Sequence, residues 1–166
     1  MRINAVIATL LLFVAGCSPG ANGAASGAVV AEDEAGTAQV HPESGLRIVP
    51  LTVTTASGAH RFAAELADTP QSQARGLMFR TELGPAEAMI FPFSAPRQAS
   101  FWMRNTVIPL DIIFIGQDRR ILNIAANTVP YSEDRILSEG PAAAVLELAG
   151  GRASELGIAP GDRVEW

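Results

Sequence analysis

From Leu46 to Trp166 the chain is cut by glycine, proline and aspartate turn signals into short apolar runs, none of them long enough for a substantial helix. Strands of a few residues tolerate such interruption, whereas helices of ten or more do not. Leu46–Thr54 mixes β-branched and apolar residues, Ala56–Ala59 is a turn, and His60–Ala67 is a second extended run, so the three predict a hairpin. Thr69-Pro70 has the N-cap and first-turn pairing that begins a helix, predicted from Pro70 to about Leu77 and ending near Gly76. Met89–Phe91 reads as a short strand stopped by Pro92, and Ser100–Met103 as another. Leu110–Ile115 is the clearest strand, joined by the Gly116–Arg119 turn to Arg120–Thr128. Ala143–Leu148 follows, broken by Gly150-Gly151. Arg152–Leu156 is a single helical turn and Arg163–Trp166 a last strand. About seven short strands with one or two short helices predict a mainly β single domain, a jelly-roll-like sandwich or a small barrel.

The first residues follow different rules. Met1-Arg2 gives a positive start, Ile3–Val14 is apolar apart from Asn4 and Thr9, and Ala15-Gly16 precede the only cysteine, Cys17. A run this short falls below the roughly 20 residues needed to cross a bilayer, and reads instead as the apolar core of a signal peptide covering residues 1–16. Val14-Ala15-Gly16-Cys17 resembles the bacterial lipobox, which implies a diacylglycerol on the Cys17 thiol and a mature chain beginning there. Acylation of the amino group as well would give an anchor that holds where a single chain does not. Ser18 after the cysteine, rather than aspartate, suggests the outer membrane of a diderm host and a periplasm-facing domain. Residues 17–45 are expected to be the lipidated cysteine and a flexible linker. Ser18–Val30 is almost wholly Gly, Ala, Ser, Pro and Asn, and Glu32-Asp33-Glu34 and His41 stand apart from any second ligand. The folded domain is expected over residues 46–166.

Charge narrows the chemistry. The formal net charge is −5 and all twelve basic residues are arginine. Schiff-base and phosphate-loop lysine chemistry are therefore excluded, and the acidic balance argues against a nucleic-acid partner. One cysteine excludes an intramolecular disulfide. His60 is the only histidine after residue 46 and has no evident co-ligand, so neither a transition metal nor another cofactor is expected. Met78, Met89 and Met103 suit a β core better than a soft-metal site. No serine has the surroundings of a nucleophile.

Several ordered motifs carry a resemblance. They are Arg75-Gly76-Leu77-Met78, Met89-Ile90-Phe91, Phe101-Trp102-Met103-Arg104-Asn105-Thr106 and Ile108-Pro109-Leu110-Asp111-Ile112-Ile113-Phe114. Val145-Leu146-Glu147-Leu148-Ala149-Gly150, Gly157-Ile158 and Gly161-Asp162 complete the set. From about Glu65 to the end, the chain resembles the DUF192 family of uncharacterised bacterial and archaeal proteins. The resemblance implies a mainly β fold of jelly-roll or sandwich kind and no assigned activity. Ala88 stands where the family pattern usually has glycine.

Six residues stand out as candidate ligand contacts: Arg75, Trp102, Arg104, Asn105, Asp111 and Glu147. Arg104 and Asn105 can hold a polar or anionic group while Trp102 supplies a stacking wall; equally, Trp102 can lie in the core with Arg104 bracing the loop through Asp111 or another carboxylate. Asp111 lies inside an apolar run, where a carboxylate is costly unless paired, so it is expected to bind an arginine or to sit with a raised pKa in a cleft. Arg75 suits either the end of its helix or a ligand. Glu147 is expected to face solvent or an arginine. Pro109 directs residues 101–111 to the rim of the sheet, which makes this segment the expected functional edge. Two functions remain open: a membrane-tethered, non-catalytic binding module for a small polar ligand, glycan or envelope protein, or a hydrolase built on Asp111, Glu147 and Arg104.

Overall fold

The computed structural model describes residues 39–166. The signal segment, Cys17 and the Glu32-Asp33-Glu34 cluster lie outside the described residues.

Seven strands form one mixed sheet in the order β5-β4-β6-β3-β2-β1-β7. β1 (Ile48–Thr55) and β2 (Gly58–Leu66) form the expected hairpin, and β2 then pairs in parallel with β3 (Glu87–Phe101). A parallel neighbour requires a crossover, and residues 67–86 supply it, carrying helix α1 (Pro70–Arg75). β4 (Leu110–Ile115) and β5 (Ile121–Ala125) form the second hairpin, and β4 pairs with β6 (Ile136–Ala149). Helix α2 (Arg152–Leu156) and β7 (Arg163–Glu165) finish the chain, with β7 against β1.

The sheet curls until its edges touch. Arg120, just before β5, bridges Arg163 of β7. Val164 N–H donates to the Arg119 carbonyl at 2.8 Å and Ile121 N–H to the Asp162 carbonyl at 2.9 Å. The expected small barrel is thus the form the strands take, partly closed at one corner. Inside it pack Leu51, Val53, Phe62, Ile90, Ile113, Ile115, Leu146 and Leu148, each on the alternate positions of its strand. Ala88 also lies here with no exposure, so its methyl is core packing.

A second apolar layer covers the other face of β3, β4 and β6 and contains Met89, Phe91, Leu110, Ile112, Phe114 and Val145. Burial on both faces explains why Leu110–Ile115 is buried at every position.

β3 and β6 run much farther than the expected Met89–Phe91 and Ala143–Leu148. β3 continues through Pro92 and Pro96 to Phe101, absorbing them with register shifts between Pro92 and Arg97 and between Gln98 and Ser100. Proline cannot donate to a ladder, but β2 accompanies β3 only as far as Ile90. Beyond that point Pro92 stands on an open edge, where its missing N–H strands no acceptor.

Ordered structure also begins ahead of the expected boundary at Leu46. Val40 bridges Arg47, and in the turn between them Gly45 N–H donates to the His41 carbonyl and His41 N–H to the Leu46 carbonyl, each at 2.8 Å. This turn docks on Glu65, which is only 2% exposed. Arg80 donates to both Glu65 oxygens at 2.8 and 2.9 Å and lies 3.0 Å from Glu43, Ser44 donates to the same carboxylate, and His41 is 3.8 Å from it. His41 therefore belongs to a buried ionic cluster rather than to a free tail.

Helix α1 is set by its cap. Thr69 Oγ1 accepts from Ser72 N–H at 3.1 Å while Ser72 Oγ accepts from Thr69 N–H at 3.0 Å. Thr69→Ala is expected to lower stability by about 1 kcal/mol, a typical cap loss, seen as a melting temperature a few degrees lower. An unchanged melt would mean that packing alone holds the helix.

Candidate functional site

Glu147 is the residue around which a site is built. It sits near the C-terminal end of β6, the strand flanked by β3 and β4, with Met89 and Ile112 as its cross-strand partners. These partners place it on the outer apolar face rather than inside the barrel. The side chain is 5% exposed and has no hydrogen-bond or ion-pair partner among the described residues. A carboxylate so placed is poorly solvated, and burial pushes its pKa up from 4.5 to about 8. At neutral pH Glu147 is therefore a neutral acid, able to donate one hydrogen bond.

Glu147 lines a cavity of about 290 Å³. The other walls come from three elements. α1 and the turn after it contribute Gln73, Arg75, Leu77 and Met78. β3 contributes Phe91, Phe93, Arg97 and Phe101, and the segment following it Trp102 and Thr106. Phe91 and Phe101 meet edge to face at 5.2 Å, and Phe101 and Phe114 at 6.1 Å, which fixes the aromatic wall. Gln73 holds α1 onto that wall by donating to the carbonyls of Ala67 and Pro92 at 3.1 and 2.9 Å. Arg75 and Arg97 are the exposed cations of the lining, Arg97 lying 4.0 Å above the Phe93 ring. The cavity thus presents a neutral acid among apolar and aromatic walls, with guanidinium groups where it meets solvent.

Of the six candidates, the structure brings Arg75, Trp102 and Glu147 together in this cavity. Arg104 is exposed, 5.5 Å from the Trp102 ring and 4.0 Å from Glu133, and does not meet Asp111. Asn105 takes a left-handed backbone (φ 57°) and its amide donates weakly to the Met78 sulfur at 3.9 Å.

Asp111 departs from the expected arginine pairing. It is fully buried and pairs with no arginine among the described residues. Its Oδ1 accepts from Asn127 N–H at 2.7 Å and Gly151 N–H at 2.9 Å, and its Oδ2 from Ala153 N–H at 2.7 Å. Three backbone donors satisfy the carboxylate, one of them in the first turn of α2. Asp111 pairs across the sheet with Leu148 of the barrel interior, whereas Glu147 pairs with Ile112 of the outer layer. The two carboxylates therefore serve opposite faces and form no catalytic pair.

The thioethers are engaged as well. Met103 is buried and accepts from the Thr128 hydroxyl at 3.1 Å.

Phe93 and Arg97 escaped the sequence reading because Pro92 signalled an end to the strand that carries them.

The family model DUF192, described as an uncharacterized ACR, matches residues 52–166. No curated protein gives a significant match. Among solved structures, a protein of unknown function from Novosphingobium aromaticivorans is 63% identical, with a TM-score of 0.77, covering 80% of this chain and 95% of its own. A proposed transcription regulator from Sinorhizobium meliloti is 42% identical, with a TM-score of 0.70, covering 72% of this chain and 94% of its own.

Proposed function

The chain belongs to the DUF192 family, and from that premise we propose that this member is a non-catalytic ligand-binding module, held at a membrane in the cell envelope by lipid on Cys17. The observation that carries the binding reading is the unpartnered Glu147 acid at an aromatic cavity of about 290 Å³. A largely buried acid that has no protein partner and opens onto a cavity marks a place where a ligand can supply one. The surroundings define that ligand. A flat or apolar body suits Phe91, Phe101 and Trp102, an acceptor suits the protonated Glu147, and an anionic group suits Arg75 and Arg97.

The separation of Asp111 from Glu147 removes the paired acids that the hydrolase reading needed. The name given to the Sinorhizobium meliloti relative finds little echo in the charge of this domain. Arg47, Arg80, Arg104, Arg152 and Arg163 are each within 4.0 Å of a carboxylate, which dilutes any basic footprint for nucleic acid.

The aromatic carboxylate 1-naphthoate is a suitable probe, titrated by calorimetry. Saturable binding of one molecule per chain is expected, weakened about tenfold in Arg75→Gln/Arg97→Gln, the loss of roughly one charge-assisted contact. Affinity should also fall as pH rises past about 8, where Glu147 ionises and repels the anion. Absence of saturable heat up to millimolar probe would refute the binding reading.

A further inference from the structure

Beside the cavity, three segments present large apolar side chains to water. Phe79 is 67% exposed, Trp102 43%, Val129 70% and Tyr131 60%. Their backbones are stitched into one surface: Phe79 N–H donates to the Asn105 carbonyl at 2.9 Å, Tyr131 N–H to the Thr106 carbonyl at 3.1 Å, and Met103 N–H to the Ser132 carbonyl at 2.8 Å. Phe79 and Tyr131 both hold left-handed backbone, at φ 66° and 61°. For a bulky side chain that conformation is unfavourable, and it concentrates where the surroundings impose it for a purpose. Scattered exposed apolar residues are ordinary, but aromatic side chains gathered on adjoining loops mark an interaction surface.

We propose that this surface, carrying Phe79, Trp102, Val129 and Tyr131, beds into the polar–apolar boundary of a lipid bilayer. Tryptophan and tyrosine favour that boundary because one end of each ring system is apolar and the other forms hydrogen bonds. The path of the chain points to the same occupant. His41 lies 3.3 Å from Arg80, the neighbour of Phe79, so the described chain begins beside the turn that carries one of these aromatic side chains. Residues 18–38 separate Cys17 from the first described residue, and such a stretch can span at most about 70 Å. The charges around the patch are mixed, Arg104 standing near Glu133, so docking here is driven by aromatic burial rather than by attraction to anionic lipid. The inference rests on the lipid attachment proposed above only for bringing the bilayer within reach.

The test uses the full chain isolated from its membrane in detergent and reconstituted into phosphatidylethanolamine–phosphatidylglycerol vesicles, with and without bromine on the acyl chains. Flotation reports attachment, and bromine quenching of tryptophan reports depth. The signal of Trp102 is isolated twice, by comparison with Trp102→Phe and with Trp166→Phe. Floating protein with blue-shifted, quenched Trp102 emission is the expected result, with quenching at least halved in Phe79→Ser/Tyr131→Ser while flotation is unchanged. Floating protein whose Trp102 emission stays water-like and unquenched overturns the docking surface, leaves the tether standing and gives the patch to a protein partner. Protein that fails to float overturns both.

Discussion

Asp111→Ala is expected to bring the domain close to unfolding, with a loss of about 4–6 kcal/mol. A buried N–H left without its acceptor costs roughly 1–3 kcal/mol, and Asp111 serves three donors, the Ala153 bond buried and those of Asn127 and Gly151 partly so. Those donors come from Asn127, Gly151 and Ala153, so one side chain ties β4 to the segment after β5 and to the start of α2. The neighbouring geometry is equally constrained. A Cβ on Gly150 would lie 2.8 Å from the Pro109 Cβ and 2.7 Å from the Asn127 Oδ1, and Gly151 holds φ at 86°. The chain here folds close around the carboxylate and cannot relax into the space that alanine leaves. Total stabilities of small domains are about 5–15 kcal/mol, so the variant should retain little margin. Urea unfolding provides the measurement: the midpoint should drop sharply at an unchanged slope. Asp111→Asn should fall between the two, because its oxygen can keep the Asn127 and Gly151 bonds while its amide faces the Ala153 donor. A loss below about 1 kcal/mol for alanine would contradict the account, since that is what one solvent-replaceable bond is worth.

Glu147→Gln should change the pH dependence of stability more than any other single substitution at the cavity. The folded-state pKa of Glu147 is raised from 4.5 to about 8. Below pH 4.5 the acid is protonated in both folded and unfolded chains and adds no penalty. As pH rises from 4.5 to about 8, the unfolded chain ionises while the folded one resists, so stability is lost across that window. Above about 8 the loss is complete. The shift corresponds to roughly 5 kcal/mol. Glutamine has nearly the same shape and stays neutral throughout, so the variant should match the wild type near pH 4 and exceed it by several kcal/mol at pH 9. Taking the difference between the two proteins cancels the contributions common to both. Parallel stability profiles from pH 4 to pH 9 would mean that Glu147 is solvated or paired in the folded chain.

These two acids also show what a linear sequence conveys and what it withholds. The apolar run Leu110–Ile115, the turn at Gly116–Arg119 and the Thr69-Pro70 start of α1 are local signals, and each element stands where those residues place it. Asp111 was recognisable as a buried carboxylate in need of partners. Its partners are backbone donors 16, 40 and 42 residues away, and no side-chain pattern advertises them. Glu147 was expected to face solvent or an arginine, because acids in strands generally do. Its burial on the outer face depends on a second layer over the sheet, built from α1 and from the part of β3 beyond Pro92. That part of β3 was hidden by the reading of Pro92 as a stop, which holds for a strand with neighbours on both sides and fails on an open edge. Arg104 and Asn105, prominent in the motif, prove to be surface and loop residues, whereas Arg75 and Trp102 reach the cavity.

The meeting of β1 with β7 has a consequence for the order of assembly. β1 is the first strand of the barrel and β7 comes after every other strand, yet they are neighbours in the sheet. While the polypeptide is still being made, β1 can find β2, but its other side has no companion until residues 163–165 exist. Val164, fully buried among the barrel residues, is likewise missing until then. An open strand edge is a template for pairing with other chains. Any nascent or clipped form lacking β7 is therefore exposed to self-association along Thr52–Thr54, and the final strand acts as the seam that ends this hazard.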